Sequence, residues 1–357
     1  MSSPLSGRGG CTCTLCHAET VGLPSGVPPV TADDVLATAR RLADELLLPA
    51  ALAVDTADLV PRSHLDTLAD NGLLGLLGPA AAGGLDLDAA TGARVVEVLA
   101  GGCLTTAFVA MQHQGVVRQI AQTSGAVRDE WLAPLCRGDR RAGVAIAGIR
   151  PGTDPLRARP STYGWTLHGS VPWVTGWGLV DVVHVAALDD DGDVIWLLVD
   201  AGRAPSLRVE RQRLVACDAS GTVTVSFEGH EVAGERRTLS TSYVDWQRAD
   251  VEGLRPNGSL ALGVAGRCAA LLGSVDLADE IDRTREQLDA AGPDEMPAAR
   301  AAASELCWRA AAQLLVATGG RAVLSDQHPQ RLAREAMFLL VFGSRPSIKA
   351  ALVHRLT

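Results

Sequence analysis

Residues 164–181 read Gly164-Trp165-Thr166-Leu167-His168-Gly169-Ser170-Val171-Pro172-Trp173-Val174-Thr175-Gly176-Trp177-Gly178-Leu179-Val180-Asp181. The pattern predicts two β-segments joined by a tight glycine-containing turn. After Asp181 the second segment opens into apolar Val182-Val183-His184-Val185-Ala186-Ala187. Trp173 and Thr175 stand two residues apart on the first segment, so they share a face. An indole plane beside one hydroxyl suits a flat heteroaromatic ligand that needs stacking and a single hydrogen bond to a ring nitrogen. The same run also satisfies an ordinary half-buried hairpin with core tryptophans. A second cluster, Cys11, Cys13, Cys16 and His17, puts three thiols and an imidazole within seven residues, a set able to bind a metal. It lacks a second knuckle at standard spacing, and its surroundings from Met1 to Pro29 are rich in Ser, Gly and Pro, so a tail with no metal is expected.

The elements that must position these residues follow a helix, sheet, helix order. Residues 1–30 form the tail. Residues 31–140 carry helical apolar stripes, with Thr31 as N-cap before Asp33 and Asp34, and further helices at 89–99, 105–123 and 126–135. From residue 141 to 240 the pattern changes to short apolar runs at 144–149, 165–174, 182–188, 194–199 and 222–227, separated by Gly, Pro and Asp. This predicts a small antiparallel β-barrel or sandwich, with Asp189-Asp190-Asp191-Gly192-Asp193 as a hairpin tip. Residues 241–357 return to the helical period and predict a four-helix bundle over 259–274, 275–291, 296–318 and 329–342.

Composition bounds the chemistry. The chain has 357 residues, 47% hydrophobic and 20% charged, enough for a large core. A net charge of −9 argues against nucleic acid or an anionic membrane as partner. No apolar run is long enough to span a bilayer, and the N-terminus lacks the basic and apolar start of a secretory signal. Cys103, Cys136, Cys217, Cys268 and Cys307 stand singly in apolar contexts and are expected as buried thiols in a reducing cytoplasm. Lys349 is the one lysine in the chain.

The motifs resemble the acyl-CoA dehydrogenase family from about Val30 to Val341. Trp173-Val174-Thr175-Gly176 is similar to its Trp-Ile-Thr-Asn flavin strand. Ala147-Gly148-Ile149-Arg150-Pro151-Gly152-Thr153-Asp154 occupies the place of Thr-Glu-Pro-x-x-Gly-Ser-Asp. Leu68 to Leu76, the Gly83-Gly84 loop and Trp131-Leu132-Ala133-Pro134-Leu135 match further segments. The resemblance implies FAD as cofactor, contacted by Ile146, Ala147, Gly152, Thr153, Trp173 and Thr175. It also implies that the ADP half is held from a neighbouring subunit by Arg283 or Arg285 and by Gly319-Gly320, in a homodimer or homotetramer. The substrate implied is an acyl thioester, bound to CoA or a carrier protein; the electron acceptor is left open.

The family reaction needs a carboxylate base over the ring. Phe342 stands where most members carry that Glu. In another branch the base lies at the start of the first bundle helix; counting back from Leu262-Gly263 puts that place at Gly253, and Glu252, one residue off, is the candidate here. Ala110-Met111-Gln112-His113 resembles the short helix that lines the acyl pocket, and implies His113 as acid, base or substrate partner. Three outcomes stay open: α,β-dehydrogenation, a flavin monooxygenase of the same fold, and a degenerate binding subunit.

Overall fold

The computed structural model describes residues 31–152 and 154–357, with backbone alone at Glu252. The Cys11/Cys13/Cys16/His17 cluster and Thr153 lie outside the described residues. Thr31 caps the first helix as its sequence predicts: its Oγ1 accepts from Asp34 N at 3.2 Å, and Asp34 returns a bond to Thr31 N at 3.1 Å. The N-terminal helices are α1 (Ala32–Leu42), α2 (Leu48–Asp55), α3 (Arg62–Asp70), α4 (Ala89–Gly102), α5 (Leu104–Ala121) and α6 (Ala126–Arg137). A single π-helical stretch, Ala43–Leu47, joins α1 to α2.

Eight strands follow: β1 (Ala142–Ala145), β2 (Arg157–Pro160), β3 (Gly164–Val174), β4 (Val182–Leu188), β5 (Val194–Asp200), β6 (Leu207–Arg211), β7 (Val223–Ala233) and β8 (Arg237–Thr241). They form one sheet in the order β6-β7-β3-β2-β4-β5-β8, with β1 beside β4. The sheet is mixed, where all-antiparallel pairing is the expectation from sequence. β1 and β2 both pair with β4 in parallel. Neither is joined to β4 by a hairpin; the chain makes an excursion through β3 first, which permits the parallel direction. Asp189–Asp193 does form the tip between β4 and β5, with Asp189 Oδ1 accepting from Asp191 N and Asp193 N.

The C-terminal helices are α7 (Tyr243–Glu252), α8 (Leu254–Leu272), α9 (Val275–Ala290), α10 (Met296–Thr318), α11 (His328–Val341) and α12 (Pro346–Leu356). α7 and α12 add to the four expected. One continuous core runs from Val35 of α1 through α4 and α5 to Leu352 of α12, so the first and last helices share a single apolar interior. The crossing of α4 and α8 is close because it is made of small residues. A Cβ on Gly263 would lie 2.1 Å from the Glu97 carbonyl oxygen. A second core fills the space within the sheet, built from Leu167, Val171, Val174, Val185, Leu197 and Val225 among others.

Candidate flavin and substrate cavity

Trp173 is aimed by a β-bulge. Val171 pairs with Val225 and Val174 with Val223, so β3 carries one residue more than β7 over that step. The extra residue lets Val171 and Val174 both point into the sheet core, while Trp173 sits at φ +63° and 58% exposed. Positive φ at a tryptophan is strained, and strain of this kind persists where the surroundings over-determine it. Thr175, just beyond the strand, is buried, with its Oγ1 3.4 Å from Thr222 Oγ1. Gly143 of β1 packs against it: a Cβ there would meet the Thr175 carbonyl oxygen at 2.7 Å.

Both side chains line a cavity of about 980 Å³ that lies between the sheet and the helices. Ile146 and Ala147 line it beside them. The helical wall carries Val96 of α4 and Phe108 and Met111 of α5, with Gln112, Gln114, Arg118 and Gln119 of α5 lining it too. Phe108 packs edge-on against Phe338 and Phe342 with centroids 5.5 and 4.9 Å away, and Phe338 and Phe342 stack at 5.4 Å. An aromatic cluster therefore fills the place where a base is expected from sequence.

The polar rim is built by residues far apart in sequence. Asp250 of α7 accepts from Arg150 Nη1 and Nη2 at 2.8 Å each, and from Arg345 Nε at 2.8 Å. Arg345 Nη2 lies 2.7 Å away as well. All three groups line the cavity, and the Arg150 guanidinium also lies 5.5 Å over the Trp246 ring. Burial pushes the Asp250 carboxyl up, but the hydrogen bonds and charge of Arg150 and then Arg345 outweigh it and hold it below the ordinary range. A carboxylate so held is a poor proton acceptor at neutral pH. Arg255 lines the cavity too and is committed to Asp289 at 2.7 Å and to Ser259 at 2.8 Å.

His184 of β4 lines the sheet wall. It is buried, stacks on Trp196 of β5 at 4.5 Å, and has Nε2 2.7 Å from Thr238 Oγ1. Burial alone lowers its pKa to about 3, so the ring is neutral at working pH.

Two residues expected at the site, His113 as acid or base and Arg285 as a ligand of the ADP half, are engaged elsewhere in this chain. His113 is not in the cavity. It faces the other side of α5, where Nε2 donates to the Leu135 carbonyl at 3.0 Å and Nδ1 accepts from Ala142 N at 3.0 Å. Both ring nitrogens are used, and burial lowers the pKa to about 4. His113 pins α5 to the end of α6 and the start of β1; an imidazole is the right length to bridge those two backbones. Arg285 is likewise consumed inside the chain: Nε and Nη2 bind the Glu97 carboxylate at 3.0 and 2.6 Å, and Nη1 contacts Asp282. Arg283, on the same helix, is exposed. Gly319 ends α10 at φ +69°, and Gly319 and Gly320 are exposed. None of Arg283, Arg285, Gly319 and Gly320 lines the cavity of this chain. Gly152, at φ +91°, is exposed and outside the cavity lining. Glu252 closes α7, between Asp250 and Gly253, both of which line the cavity.

Two family profiles match the chain. The one described as "Acyl-CoA dehydrogenase, N-terminal domain" covers residues 31–139, and "Acyl-CoA dehydrogenase, C-terminal domain" covers 258–342. The chain belongs to the acyl-CoA dehydrogenase family. Among its relatives, rat mitochondrial short-chain specific acyl-CoA dehydrogenase is 25% identical over 168 residues, covering 45% of this chain and 41% of that protein. The chain thus spans about half or less of the length of such curated relatives. The fold extends further than the sequence match. Butyryl-CoA dehydrogenase from Megasphaera elsdenii superposes with a TM-score of 0.80 at 18% identity, over 94% of this chain and 100% of that one. A glutaryl-CoA dehydrogenase from Mycobacterium smegmatis, solved in complex with FADH2, gives 0.77 at 19% identity, over 91% and 94%. The family is one of FAD-dependent oxidoreductases, and the residues of this cavity fit the ring half of that cofactor. An exposed indole and a hydroxyl both line it, and β1 comes close enough to Thr175 to require glycine at residue 143.

Asp250 with its two arginines, and His184, are functional candidates that sequence reasoning passes over. His184 carries a signal, an imidazole in the middle of an otherwise apolar strand. Arg150, Asp250 and Arg345 carry none, because about 100 residues separate each from the next.

Proposed function

We propose that the protein is an FAD-dependent oxidoreductase acting on an acyl thioester, carried by CoA or a carrier protein, with α,β-dehydrogenation as its reaction. The observation that carries this is the cavity: Trp173 and Thr175 line it together with apolar residues of α4, α5 and α11, among them Val96, Phe108, Met111 and Phe338. A volume near 980 Å³ is at the upper end for a ligand site and accommodates a ring system together with an acyl chain. FAD supplies the hydride acceptor when bound. Trp173 and Thr175 orient the ring, Phe108, Phe338 and Phe342 exclude water from the acyl chain, and Glu252 takes the α-proton. The proposal includes a homodimer or homotetramer, in which Arg283 and Gly319-Gly320, exposed and outside this chain's own cavity lining, hold the ADP half of a neighbouring subunit's FAD.

Phe342 favours a second reading. Where no carboxylate takes an α-proton, a flavin monooxygenase reaction needs none. Anaerobic mixing of the FAD-loaded protein with butyryl-CoA and longer acyl-CoA thioesters separates the two. Bleaching of the flavin that Glu252→Gln abolishes is the expected result. Absence of bleaching with every thioester, together with oxygen consumption after external reduction of the flavin, would replace dehydrogenation by monooxygenation.

A further inference from the structure

His184 holds a polar atom that the chain itself does not use. Thr238 Oγ1 donates to the Trp196 carbonyl oxygen at 3.3 Å. With that proton committed, its lone pair meets His184 Nε2 at 2.7 Å, and we assign the ring proton to Nε2. Nδ1 is left as a bare acceptor. The one side-chain hydrogen bond of His184 among the described residues is through Nε2, and the residue is only 3% exposed. Stacking on Trp196 and the bond to β8 lock the ring in place, and the surface it lines is that of the cavity. A buried, immobile and unpaired acceptor facing a cavity is a feature that a ligand must satisfy, because leaving it unmet in the bound state costs affinity.

The position of His184 says which part of a ligand it meets. Gly143 of β1 abuts Thr175, and the next residue of β1, Val144, pairs with His184. His184 is therefore displaced from the Trp173 and Thr175 corner by the width of β1. It stands on β4 of the sheet, whereas the phenylalanine cluster stands on α5 and α11 or just beyond it. The cavity that it lines also carries the polar groups Arg150 and Asp250, beside apolar Val144, Ile146 and Trp196. We propose that His184 Nδ1 accepts a hydrogen bond from an N–H or O–H group of the thioester's carrier arm, and so selects substrates by their arm and not by their acyl chain. This rests on the acyl-thioester reading above. A pantetheine arm offers amide N–H and hydroxyl donors; an alkyl thioester offers none.

The test uses FAD-loaded protein and two probes, butyryl-pantetheine and S-ethyl thiobutanoate, with binding followed through the flavin absorbance. His184→Phe keeps the stack on Trp196 and removes the acceptor. It should weaken butyryl-pantetheine about three- to tenfold, the scale of one neutral hydrogen bond. Binding of S-ethyl thiobutanoate and of FAD should be unchanged. His184→Asn, which returns an acceptor near the Nδ1 position, should restore most of the loss. Thr238→Val, which frees the tautomer, should give a smaller loss with the same selectivity, and it serves if His184→Phe does not fold. Equal weakening of both probes, no weakening, or a loss confined to FAD would overturn the assignment. Wild-type protein that binds FAD but neither probe would instead refute the thioester reading on which it stands.

Discussion

Replacing Asp250 by Asn should destabilise the protein far more than an ordinary surface change. The wild-type carboxylate receives three hydrogen bonds at 2.8 Å and a fourth guanidinium contact at 2.7 Å. The side chains of Asp250, Arg345 and Arg150 are 12%, 19% and 23% exposed, so solvent screens them only in part. Removing one partner of a buried ion pair costs about 3–5 kcal/mol, and the residual exposure here lowers the expectation to about 3 kcal/mol. The loss arises less from missing attraction than from two guanidinium groups left facing each other. Adding Arg345→Gln to Asp250→Asn should therefore return about 1 kcal/mol, a non-additive effect of the size seen for groups in one network. Urea unfolding followed by tryptophan fluorescence would measure both variants. The wild-type advantage should be full above the ordinary aspartate value of 3.8 and fade as pH falls through the depressed folded value, because protonation removes the same charge. A cost below 1 kcal/mol for Asp250→Asn, or strict additivity in the double variant, would refute the account.

Other outcomes follow from the same geometry. His113 is neutral in the folded state with a pKa near 4, below the free value of 6.5, so its contribution is intact above pH 6.5 and is lost as pH falls toward 4, by about 3 kcal/mol in all. Acid titration of stability should flatten over that window in His113→Gln, whose activity at pH 7.5 should persist in whatever fraction stays folded; a specific loss of turnover would return His113 to the chemistry. Trp173→Ala should cost about 1–3 kcal/mol of FAD affinity with little effect on unfolding, since the indole is mostly exposed and its backbone strained. Trp177→Ala should do the reverse, because that indole packs against the sheet core; calorimetric titration of FAD beside thermal unfolding tells the two apart. Light scattering at micromolar concentration should find a dimer or tetramer in the presence of FAD, and a monomer there would contradict a cofactor site completed across subunits.

The order of helices, sheet and helices was legible because hydrophobic period changes sharply near Gly143 and again after Trp246. The extent of individual helices was less so. α7 reads Tyr-Val-Asp-Trp-Gln-Arg-Ala-Asp-Val-Glu and has no clean apolar stripe, and α12 occupies only the last turns of the chain. The parallel pairings of β1 and β2 were invisible, since strand direction depends on the route of the chain between strands and not on residues within them. Trp173 and Thr175 were found by alternation and they do line the cavity, but the bulge that aims Trp173 leaves no local mark. His113 misled for a physical reason. A histidine satisfied by two backbone groups and a histidine offered to a ligand have the same sequence surroundings; only the positions of Leu135 and Ala142 separate them.

The single interior shared by the first and last helices has a consequence for how the chain is made. α4 packs against α8, and α5 touches it as well, and α8 is synthesised about 150 positions after α4. At a translation rate of about 5–20 residues per second, the face of α4 that meets α8 stays uncovered for roughly ten to thirty seconds. The sheet domain, with a core of its own, is complete before that face is covered. A nascent chain of this protein therefore passes through a stage with a finished middle and two unfinished ends, and its yield in a cell should depend on chaperone capacity more than on the stability of the final fold.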